Sequence, residues 1–235
     1  MKKNNAFTLA EVLVTLIILG VIASMTIPGL KKTSDEKVFV ATLLKAQSQL
    51  TQATKTLKRT EGPIAMWTDY SNAENAPEQI INIYKKIMPP ASILSKSYTI
   101  NPLVSSESKN TGSSDDKNNN SNSSKGEDQD SEEQQAFTEI PNDNRTIMTA
   151  DGIVYTLASV NNCTAANAAS KNCFRFVVDV NGSKEPNMVG VDVYAFDVMK
   201  NSDVIPVMGT CPPAGGSDYG WGCTSRAIAE KDISW

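Results

Sequence analysis

One carboxylate, Glu11, stands inside a run from Phe7 to Ile27 that is otherwise apolar apart from a few small hydroxyl residues. An ionisable group in a membrane span costs on the order of 3 kcal/mol, so it marks function sooner than packing. Four cysteines, Cys163, Cys173, Cys211 and Cys223, offer either disulfide or metal chemistry. They contain no C-x-x-C pair, which speaks against zinc. The chain has no histidine, which removes Ser-His and Cys-His catalysis and His-ligated metals together. A third group, Asp179, Asn181, Asn187 and Asp192, clusters side-chain oxygens of the kind calcium takes. Its spacing is not that of an EF-hand, and a hairpin turn with Asn181 and Gly182 at positive φ and solvated acids is the reading adopted. No metal or other cofactor is expected.

The elements that carry these residues follow from periodicity. At 1.5 Å per residue the apolar run makes a helix of roughly 30 Å, about the hydrocarbon thickness of a bilayer. Pro28 removes an intrahelical hydrogen bond and is expected to kink or loosen the helix near the outer edge of that span. The helix then resumes, because Phe39, Leu43, Ala46, Leu50, Ala53 and Leu57 recur at alternating steps of four and three. Glu61-Gly62-Pro63 ends it. The result is one rod of roughly 80 Å, apolar all round below and carrying above a single apolar stripe that a domain must cover.

The remainder is long enough for one domain. A short helix is expected from Pro77 to Met88, with Ile80, Ile83, Tyr84 and Ile87 on one face and Pro89-Pro90 as its stop. Residues 105–135 hold almost no apolar side chain and cannot offset their ordering entropy by burial. They read as a disordered insertion. Beyond them the period becomes two. Thr146–Ala150, Asp151-Gly152 and Ile153–Leu157 predict a hairpin. Phe174–Val180, Val191–Val198 and Val204–Met208 follow as further strands. The fold class expected is therefore α+β, a long N-terminal helix under a small antiparallel sheet. Four cysteines allow three pairings; sequence order favours Cys163 with Cys173 and Cys211 with Cys223, in an oxidising compartment. A net charge of -4 gives no basic face for nucleic acid.

The start of the chain carries a resemblance. A leader with Lys2 and Lys3, ending in a small residue and followed by F-T-L-A-E-V-L-V-T-L-I-I-L-G-V-I-A, is similar to the N-terminal signature of type IV prepilins and type II secretion pseudopilins. The resemblance covers about the first thirty residues. It implies cleavage between Ala6 and Phe7 by prepilin peptidase, N-methylation of Phe7 and a role for Glu11 in filament assembly. The family usually has Gly before the cut; Ala6 is small enough to fit. Pilins of this type also carry a proline where Pro28 stands. The C-terminal Asp232-Ile233-Ser234-Trp235 is reminiscent of major pseudopilins, some of which bind calcium near that end.

The division implied is a leader at 1–6, a transmembrane assembly helix at 7–28, its amphipathic continuation at 29–60 and a pilin-like extracytoplasmic domain at 61–235. After cleavage the α-amine of Phe7 lies one turn from Glu11. A neighbouring subunit, staggered along the axis, can bring its own Phe7 ammonium to Glu11, and such a pair sets register. Amine and carboxylate of one molecule could also meet at this spacing. The reading is a filament subunit, not an enzyme, held in the inner membrane before assembly into a periplasmic or surface filament. Its partners would be homologous subunits, prepilin peptidase and an inner-membrane assembly platform. A type II secretion pseudopilus is favoured over a type IV pilus. The rival from another class is an exported binding module cut by an ordinary signal peptidase after Ala23, with Trp67, Trp221 and Tyr219 stacking on sugars.

Overall fold

The computed structural model describes residues 8–70, 75–92, 94, 96–102, 138–161, 163, 172–209, 211 and 220–233. Helix α1 runs without interruption from Leu9 to Thr60, 52 residues, through Pro28, and is closed by the Glu61 N–H donating to the Leu57 carbonyl. A 3₁₀ turn (Ile64–Met66) and α2 (Ala76–Lys85) follow. The strands are β1 (Tyr98–Thr99), β2 (Glu139–Ile140), β3 (Thr146–Met148), β4 (Val154–Val160), β5 (Asn172–Asp179), β6 (Val193–Met199) and β7 (Val204–Pro206), and α3 (Cys223–Glu230) is the last element among the described residues. Strands β3 to β7 form an antiparallel meander in sequence order, and β1 pairs with β2 in a separate ribbon. The architecture is α+β.

Alternation of side chains along the strands gives the meander two apolar faces, and both are covered. On one face Tyr155, Leu157, Phe174, Phe176, Val178, Phe196 and Val198 meet the helices. The stripe of α1 that they bury comprises Val40, Leu43, Ala46, Leu50, Ala53 and Leu57. Phe39, expected in that stripe, is only half-buried, and Val40 takes the buried position. On the other face Val154, Val177, Val193 and Ala195 meet Leu94, Ile100, Ile140, Val189 and Val207. Strand β6 starts two residues later than the periodicity suggests, because Val191 and Asp192 are taken up by the turn before it.

Helix α2 buries Ala76, Ile80, Ile81 and Tyr84. The expected face of Ile80, Ile83, Tyr84 and Ile87 is rotated: Ile83 is half-buried and Ile87, beyond the helix end, is exposed. Tyr84, common to both faces, reaches α1, where its hydroxyl lies 2.6 Å from that of Thr54. The single proton of Thr54 is directed to the Leu50 carbonyl at 2.8 Å, so Tyr84 donates in this pair. Two buried hydroxyls inside the stripe are thereby satisfied.

Candidate assembly site

The site begins at the head of α1. Thr8 is its N-cap residue, in extended conformation, and Glu11 is the third residue of the helix. The Thr8 N–H and the Thr8 hydroxyl both donate to Oε2 of Glu11, each at 2.9 Å, and the Glu11 N–H donates back to Thr8 Oγ1 at 3.3 Å. This reciprocal pattern is a capping box, which satisfies backbone donors that a helix start leaves over. The T-x-x-E spacing of Thr8-Leu9-Ala10-Glu11 carries the signal in the sequence, although the reading of Glu11 as a lone carboxylate passes over it. Within the described chain the partner of Glu11 is thus Thr8. Ala6 and Phe7, the expected cleavage and methylation positions, lie outside the described residues.

Below this cap no residue of Leu9–Ile27 is buried. These 19 residues are long and apolar enough to cross a membrane. Leu16 and Ile17, in their middle, are still 60% and 64% exposed. The hydroxyls in the segment fold back on their own helix: Thr15 donates to the Val12 carbonyl, Ser24 to that of Val21 and Thr26 to that of Ile22. That habit leaves the outer surface of the segment apolar apart from its head.

The upper half of α1 is held to the domain by polar contacts as well as by its stripe. Lys45 pairs with Asp151 at 2.7 Å, in the turn joining β3 to β4, and Tyr155 donates to Gln49 Oε1 at 2.7 Å. Lys58 donates to the Asn201 carbonyl at the turn between β6 and β7. Cys163 is bonded to Cys173 and Cys211 to Cys223. The first pair is buried in the core beside the helix.

The Asp179 to Asp192 segment departs from the expected solvated turn. Both acids are fully buried, and positive φ falls on Gly182, Asn187 and Gly190, not on Asn181. Asp179 accepts from the Tyr98 hydroxyl at 2.7 Å and from the Asn181 N–H at 3.0 Å. Asp192 accepts from the N–H groups of Asn187 and Met188 at 2.9 and 2.6 Å. Burial raises the Asp179 carboxyl to about 8, with the nearby Asp192 adding to the rise and the hydrogen bonds opposing it. Asp192 is raised for the same leading reason. Among the described residues no three Asp, Glu, Cys or His side chains gather as a metal site.

Of the aromatics in the sugar-binding alternative, Trp67 is a core residue. Its ring lies 5.9 Å from that of Tyr84 and 6.2 Å from that of Phe174, and its Nε1–H donates to the Gly62 carbonyl. Trp221 packs half-buried on the second apolar face. Tyr219, the C-terminal Ser234 and Trp235, and the insertion at 105–135 lie outside the described residues.

Residues 1–27 match the family model described as the prokaryotic N-terminal methylation motif. No curated protein and no solved structure matches the chain. The start of the chain is therefore a type IV prepilin or pseudopilin-type signature.

Proposed function

We propose that this chain is a subunit of a pilin-like filament, cut between Ala6 and Phe7 by prepilin peptidase, methylated on Phe7 and assembled through the lower half of α1. One observation carries the reading: an unburied 19-residue apolar helix extends from a folded domain and is headed by Glu11 within a methylation motif. Proteins with that motif are structural subunits, and the role proposed here is structural, not enzymatic.

The mechanism is a transfer of one helix between two apolar surroundings. A bilayer holds the precursor by Leu9–Ile27, with the domain outside the inner membrane. Assembly moves this segment into a bundle of neighbouring helices. Lipid is as apolar as the bundle, so hydrophobic burial changes little on transfer, and packing plus polar contacts decide the outcome. Glu11 meets the Phe7 ammonium of the next subunit and sets the stagger. Among filament systems we favour a type II secretion pseudopilus over a type IV pilus. The small sheet domain and the C-terminal Asp232-Ile233-Ser234-Trp235 support that choice.

Two measurements test the function. N-terminal mass spectrometry of protein from native membranes is expected to find Phe7 first, carrying one methyl group; a terminus at Ser24 would overturn the filament reading. Glu11→Ala is expected to leave cleavage and membrane insertion intact while sheared filament fractions lose the subunit.

A further inference from the structure

We infer that the globular domains of two copies join edge to edge, Met208 of one entering the groove between α1 and the β3–β4 turn of the other. The inference rests on the filament function proposed above and gives that filament a contact outside its apolar helix. The groove is open and has a volume of about 590 Å³. Gln49 and Ala53 of α1, Ile87 and Met88 beyond α2, and Asp151 of the turn line it. Its polar side chains are already partnered within the chain. Gln49 accepts from Tyr155 at 2.7 Å and donates to Asp151 at 3.3 Å, and the neighbouring Gln52 donates to Ser48 at 3.0 Å. Asp151, the one charged side chain among the described lining residues, is paired with Lys45 and accepts from Thr149. An apolar occupant strands none of these groups, whereas a cation or an anion would have to break the Lys45–Asp151 pair to be balanced. Ile87 stands ready for such an occupant, 40% exposed.

A matching apolar segment lies on the opposite edge of the same sheet. Strands β3 and β7 are the outer strands of the meander, and the groove is built beside β3. Met208, two residues past β7, is 79% exposed, and residues 204–209 carry no charge. Groove and methionine stand at the same end of the strands. Met148 pairs with Val154, Val154 with Asp179 and Asp179 with Val193, and the Val207 N–H donates to the nearby Ala195 carbonyl. Four inter-strand steps put the two edges roughly 19 Å apart, so no chain fills its own groove. Each copy therefore offers one open groove and one open knob, and only a second copy supplies both in equal number. Joining unlike patches is a heterologous contact, and when its rotation does not close it runs on as a helical filament. Absence of unpaired charge on both sides is the composition of an interface core, and a flexible thioether fits a groove of irregular shape.

Cysteine cross-linking tests the contact in filaments sheared from the native host, with a short thiol cross-linker added. Ile87→Cys and Met208→Cys in one full chain are expected to give a ladder of dimers, trimers and longer species, and either alone to give monomer. Dimers from Met208→Cys alone would mean a symmetric contact and overturn the inference. Filaments in normal amount with the double variant left monomeric would also overturn it, while sparing the function. Met66, 78% exposed on the 3₁₀ turn, is the control. Met66→Cys with Ile87→Cys is expected to stay monomeric, and a ladder from that pair in place of the first would assign the groove to another segment and overturn the inference. Absence of filaments from the wild type removes the function and the inference with it. Should the cysteine chains fail to assemble, Met208→Leu and Met208→Glu decide, with Trp67 fluorescence checking the fold of each. Leucine is expected to assemble within about twofold of the wild type and glutamate about tenfold less or lower still. Glutamate assembling like the wild type would overturn the inference.

Discussion

The hydroxyl of Tyr98 donates to Oδ2 of Asp179 at 2.7 Å, tying β1 to the far end of β5 across 81 residues. The bond joins the small β1–β2 ribbon to the outer face of the meander, next to the turn that Asp192 closes. It also places a tyrosine donor on a fully buried carboxyl group. Burial pushes the Tyr98 hydroxyl up as well, so it remains a donor at any ordinary pH.

The first prediction comes from that carboxyl. An unfolded aspartate titrates near 3.9, whereas folded Asp179 is raised to about 8. Between these values the native chain keeps a proton that the unfolded chain has released. The contribution to stability is fully present below about 4 and is lost as pH rises through about 8. For one such group the unfolding free energy falls by up to about 1.4 kcal/mol per pH unit across this window. Urea unfolding at intervals from pH 4 to 9 is expected to show that slope, reduced in Asp179→Asn. Tyr98→Phe removes a bond that lowers the Asp179 value, so the window extends to higher pH. A flat profile in the wild type would refute the assignment.

The two halves of α1 answer differently to the same substitution. Leu50 is fully buried against the sheet, and Leu50→Ala is expected to cost the domain about 2–5 kcal/mol, the usual range for leucine truncation in a core. Leu16 is largely exposed on the same helix. Leu16→Ala is expected to leave domain stability unchanged, within about 0.5 kcal/mol. The fluorescence of Trp67, buried between Tyr84 and Phe174, reports the domain in the full chain in detergent. Equal losses from the two variants would mean that the lower half of α1 also packs on the domain.

Much of this fold is legible in the sequence, for a physical reason. The stripe Leu43, Ala46, Leu50, Ala53 and Leu57 is one-sided, and a one-sided element announces its buried face by its period, whereas the strands around Asp151-Gly152, with β4 buried on both faces, announce themselves as short apolar runs on either side of a turn pair. Helix α2 reads less well because it packs on two sides, against α1 and against β3 and β4, and which of its residues are buried is set by those distant neighbours, Thr54 thirty positions from Tyr84 among them. Strands β1 and β2 have two residues each, too few for a period, and lie on either side of the polar stretch 105–135. Helix α3 follows the Gly- and Pro-bearing stretch from Cys211 to Gly222 and gives little apolar signal of its own. At the site, Glu11 stands out by charge in an apolar run. Thr8 does not, because threonine is unremarkable there until the T-x-x-E spacing is considered.

The last prediction concerns Gly222, the residue before α3. Its φ of -61° is open to any amino acid, so conformational freedom is not what glycine supplies here. The constraint is contact. A Cβ at this position would lie 2.4 Å from the Gly209 carbonyl carbon and 2.5 Å from its Cα, both backbone atoms that cannot swing aside. The approach draws the end of the β7 segment against the start of α3, beside the Cys211–Cys223 bond. Gly222→Ala must push these two backbones apart and is expected to cost at least about 1–3 kcal/mol, the range for overpacked cores. Gly20 has nothing within 4 Å of its ideal Cβ and sits inside α1. Gly20→Ala is therefore expected to leave the domain unaffected while raising helix propensity by about 1 kcal/mol. Thermal unfolding of the two variants measures both. Equal stability of Gly222→Ala and the wild type would show that the Gly209–Gly222 approach is looser than 2.4 Å implies.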